Sequence, residues 1–309
     1  MIIGGNNMES QKIYYYTDFN TFKLILQNGT LRFKESTSSN DNFDTVQLYE
    51  NLFEMAIKRL DEGDLKAEQQ FFFDMQKHNG SKSTRISLVS CFTSKADSRM
   101  LWDAYTMHRK DRSAERYNGL CIEFDKNELL NVMLTNAQQF DVKRCQEIVY
   151  GFESINDVLE KYMDTYSYEV HEISQEEDQT QNLIPPIPIP LTNKVMDLKK
   201  CIVIPTLRLV DRIDTAAPFF KHSFWREEYE TRALLSIKKG TSFAKSLDRY
   251  SDGSAYFDLQ ITKNCINKVI LGPEFSQEDA EILNSLDAKI TFNDLMIVPS
   301  EGTGVITNR

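Results

Sequence analysis

IYYYTDFNTFKLILQNGTLRFKE, residues 13–35, sets how the chain begins to fold. IYYYT, 13–17, reads as a strand, with Tyr14 and Tyr16 on one face and Tyr15 on the other. Asp18 stands where it can cap a helix whose Phe22, Ile25 and Leu26 fall at helical spacing. Asn28-Gly29 stops that helix. LRFKE, 31–35, then reads as a second short strand.

Further strands are expected at ISLVSCFT (86–93), GLCIEFD (119–125), RCQEIVYG (144–151), YETRALLSI (229–237), YFDLQI (256–261), KVILG (268–272) and AKITFND (288–294). Helices are expected at 45–79, 98–108, 126–135, 154–171 and 276–286, the last opened by Ser276 with Asp279 at capping-box spacing. The acidic run 171–182 reads as loose, and PPIPIP, 185–190, as a stiff connector that cannot be helical. Residues 191–222 read as one or two helices broken by Pro205 and Pro218. Strands and helices mix without a strict βαβ alternation, which argues for an α+β fold. The expectation is a single domain, 1–309, with helical insertions at about 45–80 and 152–220.

Hydrophobic residues make up 41% and charged residues 27% of the 309, the balance of a globular chain with a substantial core. The net charge of -10 repels phosphate backbones at long range, so a nucleic-acid partner requires a local basic patch. No apolar run is long enough to span a membrane, and the N-terminus lacks the pattern of a secretory signal. Five widely spaced cysteines with no CxxC suggest neither a zinc site nor a disulfide framework, and reduced thiols fit a cytoplasmic chain.

No GxGxxG follows a strand, and GxxxxGK[ST], HExxH and GxSxG are absent. Chemistry therefore falls to carboxylates, hydroxyls and aromatics. WREEYETR, 225–232, is the best candidate. If it is extended, Glu228, Glu230 and Arg232 point one way and Tyr229 and Thr231 the other. Arg232 can hold one carboxylate in a bidentate pair. The second, left free, suits a developing oxocarbenium ion, as in glycosidic bond cleavage. A surface strand with an ordinary ion pair is the competing reading. HRKDRSAERYN, 108–118, also has two readings, a nucleic-acid contact through Arg109, Lys110 and Arg112 or a solvated helix end.

The ordered succession IYYYTDFNTFKLILQNGTLRF, NDNFD, SCFTS, MLWDAY, GLCIEFD, WREEYETR and INKVILGPEF resembles a widespread prokaryotic family of uncharacterised domains. That family reads aromatic-His-Tyr-Thr, Asn-Asp-Pro-Phe, Cys-Phe-Ser, Trp-x-x-Tyr, Gly-x-Cys-Ile-x-Phe and Trp-x-x-Glu-x-Glu-x-Arg. The opening module is also similar to the start of ADP-ribosyltransferases, including toxins that modify nucleic acids. The resemblance implies a split mixed sheet and NAD as substrate, with no metal. It places Tyr15, Tyr16, Thr17, Asn40, Asp41, Ser90, Phe92, Thr93, Trp102, Tyr105 and Arg232 around NAD, with Tyr15 at the His position and Asn42 at the Pro position. A Tyr or Trp would stack on the nicotinamide, and Arg232 would pin a carboxylate.

The resemblance makes Glu230 and Glu228 catalytic. Glu230 would bind the ribose 2′-hydroxyl and stabilise positive charge at the anomeric carbon, and Glu228 would orient or deprotonate the acceptor. The implied activity is transfer of ADP-ribose to a macromolecule, RNA, DNA or protein, by a toxin or anti-phage effector that an antitoxin or inhibitor protein could restrain. An NAD glycohydrolase on the same scaffold and a non-catalytic nucleotide- or protein-binding module are the alternatives, and Tyr15 in place of His leans toward the last.

Overall fold

A computed structural model describes residues 11–36, 84–106, 118–179, 187–191, 194–198 and 200–303. The chain opens with strand β1 (Lys12–Thr17), helix α1 (Phe19–Asn28) and strand β2 (Thr30–Glu35). Asp18 caps α1 by accepting the Thr21 N–H at 2.9 Å, and Gly29 closes it at φ 60°, returning its own N–H to the Ile25 carbonyl at 2.8 Å. That left-handed conformation is open to glycine at little steric cost. The buried stripe is Phe22, Ile25 and Leu26, the residues whose spacing predicts it.

Strand β3 (Arg85–Thr93), helix α2 (Arg99–Tyr105), strand β4 (Leu120–Asp125) and helix α3 (Lys126–Asn136) follow. The stretch expected as one strand over 144–151 is two, β5 (Val142–Glu147) and β6 (Val149–Tyr150), separated at Ile148. Helix α4 runs from Phe152 to Gln179, so most of the acidic run expected to be loose is helical. Pairs one turn apart support it there: Tyr168 with Glu172, and Gln175 with His171 at 2.9 Å. Strands β7 (Ile187–Leu191) and β8 (Lys194–Leu198) form an antiparallel pair, so the described part of the expected stiff connector, 187–190, is not helical and is one strand of that pair. Helix α5 (Lys200–Ala216) passes through Pro205 unbroken. Pro205, the sixth residue of the helix, gives up one backbone hydrogen bond and is packed in the interior.

The remainder comprises β9 (Phe220–Lys221), β10 (Glu230–Lys238), the short helix α6 (Ser242–Ser246), β11 (Asp248–Arg249), β12 (Ala255–Gln260), β13 (Ile266–Leu271), helix α7 (Gln277–Asn284) and β14 (Ile297–Pro299). Ser276 and Asp279 form the expected reciprocal capping box. AKITFND is not a strand. Ile290 donates only to the Leu26 carbonyl, Phe292–Asp294 is a 3-10 turn, and the closing strand is β14.

Among the described residues, ten strands make one mixed sheet, and the fold is α+β as the sequence predicts. Its organiser is β3. One edge of β3 pairs along its whole length with β10, from Glu230↔Thr93 to Lys238↔Arg85. The other edge meets β2 at Lys34↔Val89 and Glu35↔Leu88, then β1 only at Tyr14↔Thr93. The sheet therefore forks where β1 and β2 diverge across α1. β5 extends it beyond β10, and β4, β13 and β14 extend it beyond β1.

The two faces have different jobs. Ile13, Ile86, Leu88, Phe92, Ile122, Phe124, Ala233, Leu235 and Val269 point into the main core with α1 and α3. The opposite face carries Tyr14, Tyr16, Val89, Thr93 and Leu234, covered partly by α2 and partly by the segment that follows α5. Helices α4 and α5 bury Leu159, Met163 and Tyr166 against Leu209, Val210 and Ile213. Arg85 ties α5 to the sheet by donating to Asp211 at 2.7 Å and to Ser236 at 3.0 Å.

Gly119, just before β4, lies where the chain crosses Thr17 and Thr106. A methyl group there would sit 2.6 Å from the Thr17 carbonyl oxygen and 2.4 Å from the Thr106 Cβ. Gly119→Ala must displace backbone, and is expected to destabilise the fold by about 1–3 kcal/mol. Urea unfolding would show a lower midpoint, and an unchanged midpoint would refute the crossing.

Candidate active site around Glu228 and Glu230

The site forms where the chain enters β10. SFWREE, 223–228, is a 3-10 turn, and Tyr229 follows in the left-handed conformation at φ 46°. The extended reading of Glu228–Tyr229 is thus overturned, because β10 starts only at Glu230. The turn is fastened at three points. The Thr93 hydroxyl donates to the Glu228 carbonyl at 2.7 Å, the Ser94 N–H to the Tyr229 carbonyl at 3.1 Å, and the Glu230 N–H to the Tyr150 hydroxyl at 2.8 Å. An irregular loop is thereby held as firmly as a strand end.

Glu230 points inward and is 5% exposed. Arg232, two residues on along the same face, grips it with Nε to Oε1 at 2.6 Å and Nη2 to Oε2 at 3.2 Å, the bidentate pair expected. Arg232 Nη1 also donates to the Pro218 carbonyl at 2.6 Å. The second cation is Lys221 of β9. Its Nζ lies 3.1 Å from Glu230 Oε2 and 2.7 Å from Glu228 Oε2. Glu228 is therefore not free: Lys221 holds one oxygen, and the Tyr105 hydroxyl donates to the other at 2.8 Å. Two carboxylates and two cations close a mostly buried network in which like charges never face each other without a counterion.

Electrostatics follow from this packing. Burial opposes ionisation of Glu230, but the Arg232 guanidinium and the Lys221 ammonium outweigh it and hold the carboxyl at about 2. Burial would lower Lys221, yet the two glutamates raise it. Solvent reaches Cys91, but protein atoms crowd it, and that crowding with the Glu230 charge pushes its thiol up to about 12. Crowding and Glu228 likewise raise the Tyr105 hydroxyl. Cys91 thus remains a neutral donor beside the ionised Glu230, and Tyr105 a neutral donor to Glu228.

The register separates the expected NAD-binding residues into two groups. Tyr14, Thr93 and Glu230 face the same way in one row across β1, β3 and β10. Thr93, Glu228, Glu230, Arg232 and Tyr105 converge. Tyr15 alternates to the core face, where its ring packs 5.6 Å from Phe92 and 6.5 Å from Phe124, so it does not converge with Glu230. Phe92, Ser90 and Thr17 lie on that face too, all buried, with the Ser90 hydroxyl lacking a hydrogen-bond partner. Tyr16 faces the Glu230 side, but its hydroxyl is engaged by the Ser98 N–H at 2.7 Å and the Lys95 carbonyl at 3.2 Å. Trp102 is 1% exposed, edge-on to Tyr16, with its indole N–H on Asp97 at 2.8 Å. It is a wall of the fold and presents no stacking surface. Asn40, Asp41, Arg109, Lys110 and Arg112 lie outside the described residues.

Exposed rings surround the carboxylates instead. Tyr105 and Tyr229 are about half exposed, Phe224 and Trp225 pack edge-on at 5.2 Å, and Lys221 Nζ sits 5.1 Å from the Trp225 ring centre. Lys221, Cys91 and Tyr150 are not foreseen from the sequence, since tertiary packing alone delivers them. Among the described residues no cluster of His, Cys, Asp or Glu is arranged to hold a metal ion, and no helix is long and apolar enough to cross a membrane. All five cysteines are free thiols.

Lys221 is the only described cation that bridges both carboxylates. Lys221→Met keeps the length of the side chain and removes its charge. The expected result is a Glu230 that titrates at higher pH, through loss of one of its two cations, and a lower melting temperature. Carboxyl NMR titration would check it, and an unmoved Glu230 would show that Arg232 suffices.

No curated protein and no solved structure matches the chain. Residues 101–233, which run from α2 to the fourth residue of β10 and include Tyr105, Lys221, Glu228, Glu230 and Arg232, are similar to a family described as a protein of unknown function (DUF2971).

Proposed function

We propose that this site cleaves NAD and transfers ADP-ribose to a macromolecular acceptor, as a toxin or defence effector would. The observation that carries the reading is Glu230, a buried carboxylate kept ionised at every ordinary pH, at the first position of β10, with a second carboxylate tethered beside it. A permanent, preorganised negative charge is what a cationic anomeric carbon needs. Arg232 and Lys221 use three of the about four lone-pair sites on the carboxylate and the Cys91 thiol is hydrogen-bonded to it as well, so a ribose hydroxyl would take the place of that weak thiol donor.

In this reading the bond between the nicotinamide nitrogen and the ribose anomeric carbon breaks, and its electron pair leaves with nicotinamide. Positive charge grows on the sugar carbon facing Glu230. An acceptor O–H or N–H bonds to that carbon and gives its proton to Glu228. With Trp102 enclosed, the stacking surface for a planar ring is Tyr105, Trp225 or Tyr229.

The test is incubation of the chain with NAD labelled in the adenylate, with and without RNA, DNA and protein. Label carried by a macromolecule supports the proposal and names the acceptor. Free ADP-ribose alone would assign a glycohydrolase, and no turnover would leave a binding module.

A further inference from the structure

The opposite end of β10 from Glu230 carries a second feature, about 26 Å away at the usual rise per residue. Here β10 passes into the turn at Lys239 and Gly240, then α6, then β11 and the turn at Asp252 and Gly253. These segments, with Glu35 and Ile86, line an open cavity of about 530 Å³ at the surface. Its size is in the range that holds a small organic ligand, roughly 300–1,000 Å³.

The charge of the lining is uneven in effect. Lys239, Lys245 and Arg249 supply three cations, and Glu35 and Asp252 two carboxylates. The carboxylates are engaged locally: Glu35 accepts the Ala255 N–H at 2.8 Å, and Asp252 accepts the Ser254 N–H and hydroxyl at 2.9 and 2.6 Å. Arg249 donates one N–H to the Gly253 carbonyl at 2.8 Å, which fixes the guanidinium at the rim and leaves its other donors. The three cations are exposed and their amines and guanidinium can turn inward, whereas the two carboxylates keep their charge but are oriented by hydrogen bonds from Ala255 and Ser254, which leaves one positive charge in excess. Gly240 and Gly253 adopt φ 90° and 86°, and a Cβ placed on either would meet nothing within 4 Å, so both turns leave room beside them. Ile86 and Ala244 give the floor an apolar part.

We propose that this cavity is a binding site for a nucleotide-sized phosphate ester. Its phosphates lie among Lys239, Lys245 and Arg249, and its less polar part lies on Ile86 and Ala244. On a chain of net charge -10, an anion is repelled at long range, so a local group of three cations around a cavity is what holding one requires. The site is separate from the carboxylate network and does not depend on its chemistry.

The test is calorimetric titration of the full chain with ATP and with inorganic triphosphate, at 50 and 300 mM salt. ATP is expected to bind at low salt and to weaken as salt screens the cations. Lys239→Glu combined with Lys245→Glu should weaken it at least tenfold, Arg249→Gln should weaken it severalfold, and Glu230→Gln should leave it unchanged. The substituted lysines are exposed, and melting curves will verify that the variants fold. No ATP binding at low salt, binding that survives the double charge reversal, or loss of binding in Glu230→Gln would each overturn the assignment. ATP binding no tighter than triphosphate would overturn the nucleotide part of it. Failure of NAD turnover with retained ATP binding would separate this site's fate from that of the proposed activity.

Discussion

Glu230→Gln is expected to lower the proposed ADP-ribose transfer by about 10²–10³-fold, the loss typical when one preorganised electrostatic partner of a transition state is removed. The carboxamide keeps the shape of the side chain, and its oxygen, placed as Oε2, can still accept from Lys221 Nζ and Arg232 Nη2, while the bond from Arg232 Nε is lost because the amide NH2 is itself a donor. What disappears is the negative charge that the Arg232–Lys221 clamp holds ionised. Single-turnover measurement of nicotinamide release isolates the step. Glu228→Gln should behave differently, with transfer falling while nicotinamide release to water persists, because its proposed partner is the acceptor's proton. A Glu230→Gln chain that releases nicotinamide within threefold of the parent would eliminate the mechanism.

The largest effect on stability should come from Arg232→Met. Removing one partner of a buried ion pair typically costs about 3–5 kcal/mol, since the other charge stays buried. Here Glu230 would keep only Lys221, already shared with Glu228, and the Pro218 carbonyl would lose its donor. Adding Glu230→Met to Arg232→Met should recover part of the loss, as the stranded charge is gone. Denaturant midpoints of the two single variants and the double variant measure the coupling, and simple additivity would contradict the geometry. Acid should reproduce the same break. Glu230 titrates near 4.5 when unfolded and at about 2 when folded. Its contribution, up to about 3 kcal/mol for such a shift, is present above pH 4.5 and lost as pH falls toward 2. Glu230→Gln should flatten that part of the acid unfolding curve.

The sequence was most readable where a local rule and the tertiary structure agree. Asp18, Gly29 and the Phe22–Ile25–Leu26 stripe define α1 by themselves, and Ser276 with Asp279 does so for α7. The alternation of Tyr14, Tyr15 and Tyr16 is equally legible, and the register now gives it consequence, since it sends Tyr15 away from Glu230. The errors have physical causes. Ile290 and Phe292 alternate and are buried as in a strand, but only one backbone bond, to Leu26, is available to Ile290 there. The tail of α4 is polar all round on its free sides yet is held by pairs to itself and by Arg212 on α5. WREEYETR revealed its Glu230–Arg232 pair through spacing of two, but not that Tyr229 turns the chain. Nothing in FFKHSFW marks Lys221, because its place is fixed by the pairing of β9 with β6, two segments some seventy residues apart.

The alternation of β3 has an evolutionary corollary. Odd-numbered positions from Arg85 to Thr93 serve the charged side of the sheet and even-numbered ones the oily side, along one continuous ladder with β10. Inserting or deleting a single codon between Leu88 and Thr93 would exchange the two sets, driving Cys91 and Thr93 inward and Phe92 out beside the glutamates. A point change on one side alters one set of contacts, whereas a change in this strand's length alters both. Lineages can therefore drift in chemistry or in core composition, but indels should be purged from β3 and collect in the loops around it.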